Sequence, residues 1–220
     1  MMYKGVFVLL LIWIQLHGGE CTIRHYGQPP IPERAVELYT AKGGLFSLML
    51  PQGWTKSEEK FPYETPEANV AGVHLKGPLD DAWVAAEISV HYYEHGGFFS
   101  DYRDYIRLKR QSFDRQDDNK TSLAEVNAGG KKGVAFSIRT VEATSSAPLF
   151  KPGIMYRLNG EMMAKMVPVL ESFRVFPAKR GFFVFHYKAS ESMAAQCHGV
   201  FEKTVQSVRF INPEPWQGAK

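Results

Sequence analysis

The chain lacks the short signatures that mark common enzymes. It contains no G-x-S-x-G nucleophile elbow, no phosphate-binding loop, no dinucleotide fingerprint and no C-x-x-C pair, so hydrolase, phosphate-cradling and redox readings are missing their parts. It also lacks a surplus of one charge. The 26 basic and 23 acidic residues leave a formal charge of +3 spread along the sequence, whereas a nucleic-acid footprint needs basic residues gathered together. Internal repeats and low-complexity tracts are absent. Cysteine is scarce too: Cys21 and Cys197 are the only two, so one intramolecular disulfide is the most the chain can form.

What is present begins with the N-terminus. Lys4 supplies a small positive region, an apolar run broken only by Gln15 covers 6–16, and Gly18-Gly19 follows; this is the grammar of a secretory signal peptide over residues 1–20. The run is about half of the ~20 residues a helix needs to span a bilayer, which disfavours a permanent transmembrane anchor. Small residues are wanted before the cut, so cleavage near Gly19 is expected. Cys21 then sits where envelope lipoproteins place their lipidated cysteine, although Glu20 departs from the small residue that such a site wants just before it. Export to an oxidising compartment equally permits a Cys21–Cys197 disulfide. The two fates of Cys21 exclude each other.

Residues 21–34 hold Gly27, Pro29, Pro30 and Pro32 and read as a tether, because neither helix nor central strand tolerates that composition. Residues 35–211 form one domain. In it, 45% of the chain being hydrophobic and 13% aromatic supplies ample core material. Short apolar runs at 35–41 and 45–50 flank Lys42-Gly43-Gly44 and predict a hairpin; Pro51-Gln52-Gly53-Trp54 ends the second strand, and the proline-bearing stretch 57–69 is assigned to a loop. A second hairpin pairs 70–76 with 83–93. Its Ala71, Val73, Leu75, Val84, Ala86, Ile88 and Val90 share one face, leaving His74, Glu87, Ser89 and His91 on the other. A helix capped by Ser100 or Asp101 runs to about Phe113, with Tyr102, Ile106 and Phe113 on its apolar stripe and Arg103, Arg107, Lys109, Arg110 and Arg115 making the opposite face cationic. A third hairpin joins 123–127 to 134–141 through Gly129-Gly130. Strands at 166–176 and 182–187 meet at the turn 178–181, and a helix capped by Ser190 lays Ala194, Cys197, Phe201, Thr204 and Val208 on the sheet. The tail 212–220 carries Pro213 and Pro215 and is expected to be loose.

Hairpins outnumber helices, so the fold class is α+β, with a mainly antiparallel sheet and helices packed on it. The order of parts resembles the PsbP-like family, which also includes a Ran-GTPase-binding import factor and bacterial envelope lipoproteins of the DcrB type. The likeness is carried by Leu45-Phe46-Ser47-Leu48-Met49-Leu50-Pro51-Gln52-Gly53-Trp54 at the start, and at the end by the strand over 181–190 leading into Phe201-Glu202-Lys203-Thr204-Val205-Gln206-Ser207-Val208. It implies an α/β/α sandwich that serves as a binding or assembly module without catalytic activity or cofactor. An exported envelope protein, periplasmic or anchored through Cys21, with a protein partner follows from that resemblance together with the signal segment.

Candidate chemistry is sparse. His91-Tyr92-Tyr93-Glu94-His95 spells H-x-x-E-H, a zinc-protease pattern that requires a helix, whereas its surroundings read as a strand end. On a strand His91 and His95 share a face and His74 approaches from the neighbour, so these three are the candidate metal ligands, and with Glu94 they support the alternative of a metal-binding or metal-dependent hydrolytic protein. Ser57-Glu58-Glu59-Lys60 matches S-x-x-K without its companion motifs. Glu87, Glu94, Asp101 and Asp104 are the carboxylates from which an acid–base pair would be drawn. Tyr92, Tyr93, Phe98 and Phe99, beside Gly96-Gly97, are the candidate interaction residues. Asn119-Lys120-Thr121 is a glycosylation sequon. A ligand-binding role would need an apolar cavity between sheet and helices.

Overall fold

The structure, a computed structural model, describes residues 37–57, 70–80, 84–111, 120–145, 157–158, 161–162 and 164–211. In chain order the elements are β1 (Leu38–Thr40), β2 (Phe46–Met49), β3 (Thr55–Ser57), β4 (Val70–Leu79), β5 (Ala85–Glu94), α1 (Tyr102–Gln111), β6 (Ala124–Ala128), β7 (Lys131–Ser145), the short pair β8 (Arg157–Leu158) and β9 (Glu161–Met162), β10 (Ala164–Ala178), β11 (Gly181–Ser190), α2 (Glu191–Gln206) and β12 (Arg209–Phe210). The signal segment, the tether, the loop over 58–69, Phe113, Arg115 and the tail lie outside the described residues.

Seven strands form one sheet in the order β3-β4-β5-β11-β10-β7-β6, and every neighbouring pair is antiparallel. The expected α+β class is therefore the observed one. Each of three hairpins has a local cause. Between β6 and β7, Gly129 and Gly130 take φ of 52° and 76°, the doubly positive turn that matches strand twist and that side-chain-bearing residues resist. Between β10 and β11, Ala178 pairs with Gly181 across Lys179-Arg180. Between β4 and β5 the register shifts after Lys76, and Gly77 there lies under Trp54, whose ring would stand 2.7 Å from any added Cβ. A smaller sheet of β1, β2 and β12 begins where the 42–44 turn was expected. β3 and β12 were not anticipated; at three and two residues they are edge pieces fixed by their partners rather than by their own pattern.

Alternation along the strands splits the sheet into two faces. On one, Leu75, Ile88, Val90, Phe176, Phe183, Phe185 and Tyr187 pack with Phe46 and Leu48 of the small sheet and with Met193, Cys197, Phe201 and Val205 of α2. On the other, Tyr93, Phe136, Phe173, Val175, Phe182 and Val184 pack with Phe99 and with Tyr105 and Ile106 of α1. The layering is helix, sheet, helix. Asp101 caps α1 as expected, its Oδ1 accepting from the Arg103 and Asp104 N–H groups at 2.8 and 2.9 Å, which satisfies donors that the first turn leaves over. The apolar stripe differs from expectation in that Tyr105 is the deepest residue of α1, at 3% exposed. Ser190 stands at the N-cap of α2, but its side chain makes no capping bond; its Oγ lies 3.0 Å from that of Ser192.

A candidate binding groove beside helix 1 and a polar row on the sheet

Because α1 buries Tyr105 and Ile106 against the sheet, its outer flank is left to Arg103, Arg107 and Arg110, one helical row at spacings of four and three. The chain then returns along the edge of β7: Lys120 bridges to Ile138, and the Thr121 Oγ1 accepts from Ser137 N–H at 2.8 Å. That return places Leu123 opposite the helix. Between the two runs an open groove of about 560 Å³ lined by Tyr102, Arg103, Ile106, Arg107, Arg110, Gln111, Leu123 and Val134. Its floor is apolar, and Leu123, 53% exposed, stands as one wall. The guanidinium groups form the rim. Arg110 donates to the Thr121 carbonyl at 2.5 Å and lies 5.9 Å from the centre of the Phe136 ring, so it is held in place. Arg107 meets Asp104 at 2.5 Å while 58% exposed; this contact holds the Asp104 carboxyl below its usual range. Arg103 lies over the Tyr102 ring at 5.4 Å and has no carboxylate partner among the described residues.

Further along the same face, beyond the reach of α1, the strands carry ionisable side chains instead of aromatic ones. The His186 Nε2 lies 2.8 Å from Glu171, whose other oxygen accepts from Thr140 at 3.1 Å. Lys188 joins Glu142 at 2.7 Å and approaches Glu87 at 3.8 Å, and Glu87 lies 3.6 Å from His74. Burial alone would raise the Glu171 pKa, but the hydrogen bond and charge of His186 outweigh it and bring the carboxyl down to about 2. The neighbouring His74, with Lys188, similarly lowers Glu87. For Lys188, burial is outweighed by Glu142 and Glu87, and its pKa is raised. Nothing in any one strand marks this row except that β11 alternates Phe182, Val184, His186, Lys188 on one face, polar side chains continuing an apolar series.

The residues singled out from the sequence are dispersed. His91 lies inside β5, 8% exposed, with its Nδ1 3.3 Å from the Tyr93 hydroxyl; burial, with the nearby charges of His186, His74 and Lys109, lowers its pKa to about 3, so the ring is neutral. Ser89 and His91 are thus interior, where a mixed face had been expected. His95 sits past the end of β5, exposed, with its backbone N–H donating to the Arg180 carbonyl at 2.9 Å. His74 lies diagonally from His91, whose direct partner on β4 is Gly72. The H-x-x-E-H segment is a strand and turn, not the helix its zinc-protease reading requires, and among the described residues no three His, Cys, Asp or Glu side chains are placed to hold a metal ion. Of the four candidate interaction aromatics, Tyr92 faces α2, while Tyr93 and Phe99 are inside the α1 core; only Phe98, 57% exposed, reaches the surface. The correction has a simple cause: Gly96-Gly97 ends the strand but the chain folds back at once, stacking Phe99 edge-on to Tyr93 at 5.2 Å. Asp101 and Asp104 serve α1, Glu87 belongs to the polar row, and Glu94 pairs with Gly181 at the end of β5. Ser57 is in β3, with the rest of its motif outside the described residues. Cys197 is fully buried on α2 and is not a free thiol; Cys21 is outside the described residues. No helix among the described residues is long and apolar enough to cross a membrane.

These features define an antiparallel α/β/α sandwich. No protein-family model and no curated protein matches the chain. Among solved structures it is similar to cyanobacterial PsbP (CyanoP) from Synechocystis sp. PCC 6803, at 11% identity over 84% of this chain and 98% of that one with a TM-score of 0.43. It is also similar to the Saccharomyces cerevisiae Ran-binding protein Mog1p, at 11% identity over 81% and 96% with a TM-score of 0.40. A third similar structure, from Bacteroides thetaiotaomicron VPI-5482, shows 13% identity and a TM-score of 0.41 over 85% of this chain; the chain spans 51% of that protein's length.

Proposed function

We propose that the chain is an exported, non-enzymatic binding or scaffold domain of the cell envelope that meets a protein partner through the outer face of α1. The observation that carries this reading is the groove between α1 and Leu123, with its apolar floor and arginine rim. An apolar floor with a few charged groups at its margin is the usual make-up of a recognition surface. The polar row supports the same reading, since its charged groups are engaged with one another in pairs, an arrangement that fixes the sheet face. Export rests on the N-terminal segment. That Cys197 is not a free thiol favours the disulfide over the lipid at Cys21.

In-cell cross-linking of the full chain in its host, followed by fractionation, tests the reading. A discrete envelope adduct is the expected result; a chain that stays in the cytoplasm and gives no adduct overturns it. Intact mass with and without reductant tests Cys21: a reductant-dependent gain of two protons is expected, and an added acyl mass would instead mean a lipid anchor.

A further inference from the structure

We infer that the groove beside α1 recognises an acidic peptide segment bearing an apolar side chain, which seats on Ile106 and Val134 against Leu123 while its carboxylates pair with Arg103 and Arg107. This names the partner chemistry of the binding role proposed above and rests on it. Three features favour that occupant. The rim is built from arginine, whose planar fork pairs carboxylates in a two-pronged manner that a lysine does not reproduce. Arg103 and Arg107, the two left for a ligand, stem from consecutive turns of the helix, about 6 Å apart along its axis, which suits carboxylates two residues apart on an extended chain. A carboxylate already meets this rim within the protein, through one contact of Arg107 with Asp104, and Arg107 is 58% exposed. Arg110 plays a different part: bound to the Thr121 carbonyl and lying against Phe136, it fixes the width of the groove. A bilayer is less well matched, since among the described residues the apolar wall of the groove is Leu123 and not a broad exposed face.

The test uses the full chain and a fluorescein-labelled peptide alternating glutamate with leucine, read by anisotropy. Its glutamine-for-glutamate counterpart and vesicles of phosphatidylglycerol serve as the competing probes. Binding of the acidic peptide is expected to weaken with salt. The double variant Arg103→Gln, Arg107→Gln should lose about tenfold in affinity and most of the salt dependence. Leu123→Ser, at an exposed position, should lose about threefold with the salt dependence kept. Both variants should retain the parent's denaturation midpoint. The inference is overturned if the glutamine peptide binds equally well, if the double variant binds the acidic peptide as the parent does, or if only vesicles are bound. Cross-linking of the double variant separates the two claims. A persisting envelope adduct with no peptide binding overturns the groove and leaves the binding role standing, whereas loss of the adduct in the folded variant supports the groove.

Discussion

The two faces of the seven-stranded sheet solve the same packing problem with different materials. Under α2 the contacts are mainly apolar: Phe201 stacks on Tyr187 at 5.5 Å, the Tyr187 hydroxyl donates to the Ala194 carbonyl at 3.0 Å, and Phe176, Phe183 and Phe185 continue the layer to Phe210, with one ion pair, Arg174 to Glu202 at 2.6 Å, against the helix. Under α1 the apolar layer is shorter. It ends at Phe173, on which His186 stacks at 4.4 Å, and ionic pairs take over. Apolar burial is indifferent to pH and strengthens with contact area, while a buried ion pair is conditional: it stabilises only while both partners are charged and in register. One face therefore rests mainly on apolar burial, and the other carries more of the condition-dependent pairs together with the surface groove.

The comparison is broken most severely from the α2 side. Phe201→Ala removes a fully buried ring and is expected to cost about 4 kcal/mol in a denaturant titration. The matched change on the other side, Tyr105→Ala, should cost less, because the ten-residue α1 can open by itself; hydrogen exchange should show loss of protection in α1 with β10 and β11 still protected. Next comes the conditional face. The carboxyl of Glu171 is depressed from 4.5 to about 2, so the stability it adds is complete above pH 4.5 and drains away as the pH falls toward 2. Glu171→Gln should lower stability at neutral pH by about 2 kcal/mol and flatten the acid limb of the pH–stability curve; an unchanged acid limb would assign acid sensitivity to other groups. A smaller effect is expected at the start of α1, where Asp101→Ala removes both cap bonds for about 1 kcal/mol, detectable as fraying of 102–105 by amide exchange. Smallest of all is Arg139→Gln. Its partner Glu191 and Arg139 itself are 45% and 64% exposed, and a loss of unfolding free energy within about 0.5 kcal/mol is expected from a denaturant titration.

Much of this architecture is legible in the sequence, and the reasons are local. Gly129-Gly130 dictates its own turn, Asp101 its own cap, and the spacing of Ala194, Cys197 and Phe201 its own buried stripe. What could not be read depended on distant partners. Tyr93 and Phe99 looked like surface anchors because their neighbours Gly96-Gly97 are turn-forming, yet Phe182, far along the chain, stacks on Tyr93 at 5.2 Å and takes both inward. The groove was half legible: the cationic row of α1 stood out by period, but Leu123, a lone apolar residue between Ser122 and Ala124, gave no sign that the return along β7 would set it opposite the helix. The polar row was partly legible: the hairpin pattern put His74 and Glu87 on one face, but nothing set that hairpin beside the one carrying Glu171 and His186, because β5 meets β11 only through long-range pairing.

That adjacency has a kinetic meaning. β3, β4 and β5 pair with sequence neighbours, as do β6 with β7 and β10 with β11, but β5 and β11 meet only after almost the whole domain has been made, Glu94 pairing with Gly181 and Glu87 with Lys188. The sheet is thus two locally formed halves closed along a single seam. Within the seven-stranded sheet, closing it carries the largest loop entropy and yields nothing until the strands touch, so it is the slow step expected in forming that sheet. Until it closes, β5 and β11 each present an open, strongly apolar edge, and that interval is when the chain is most exposed to pairing with another copy of itself.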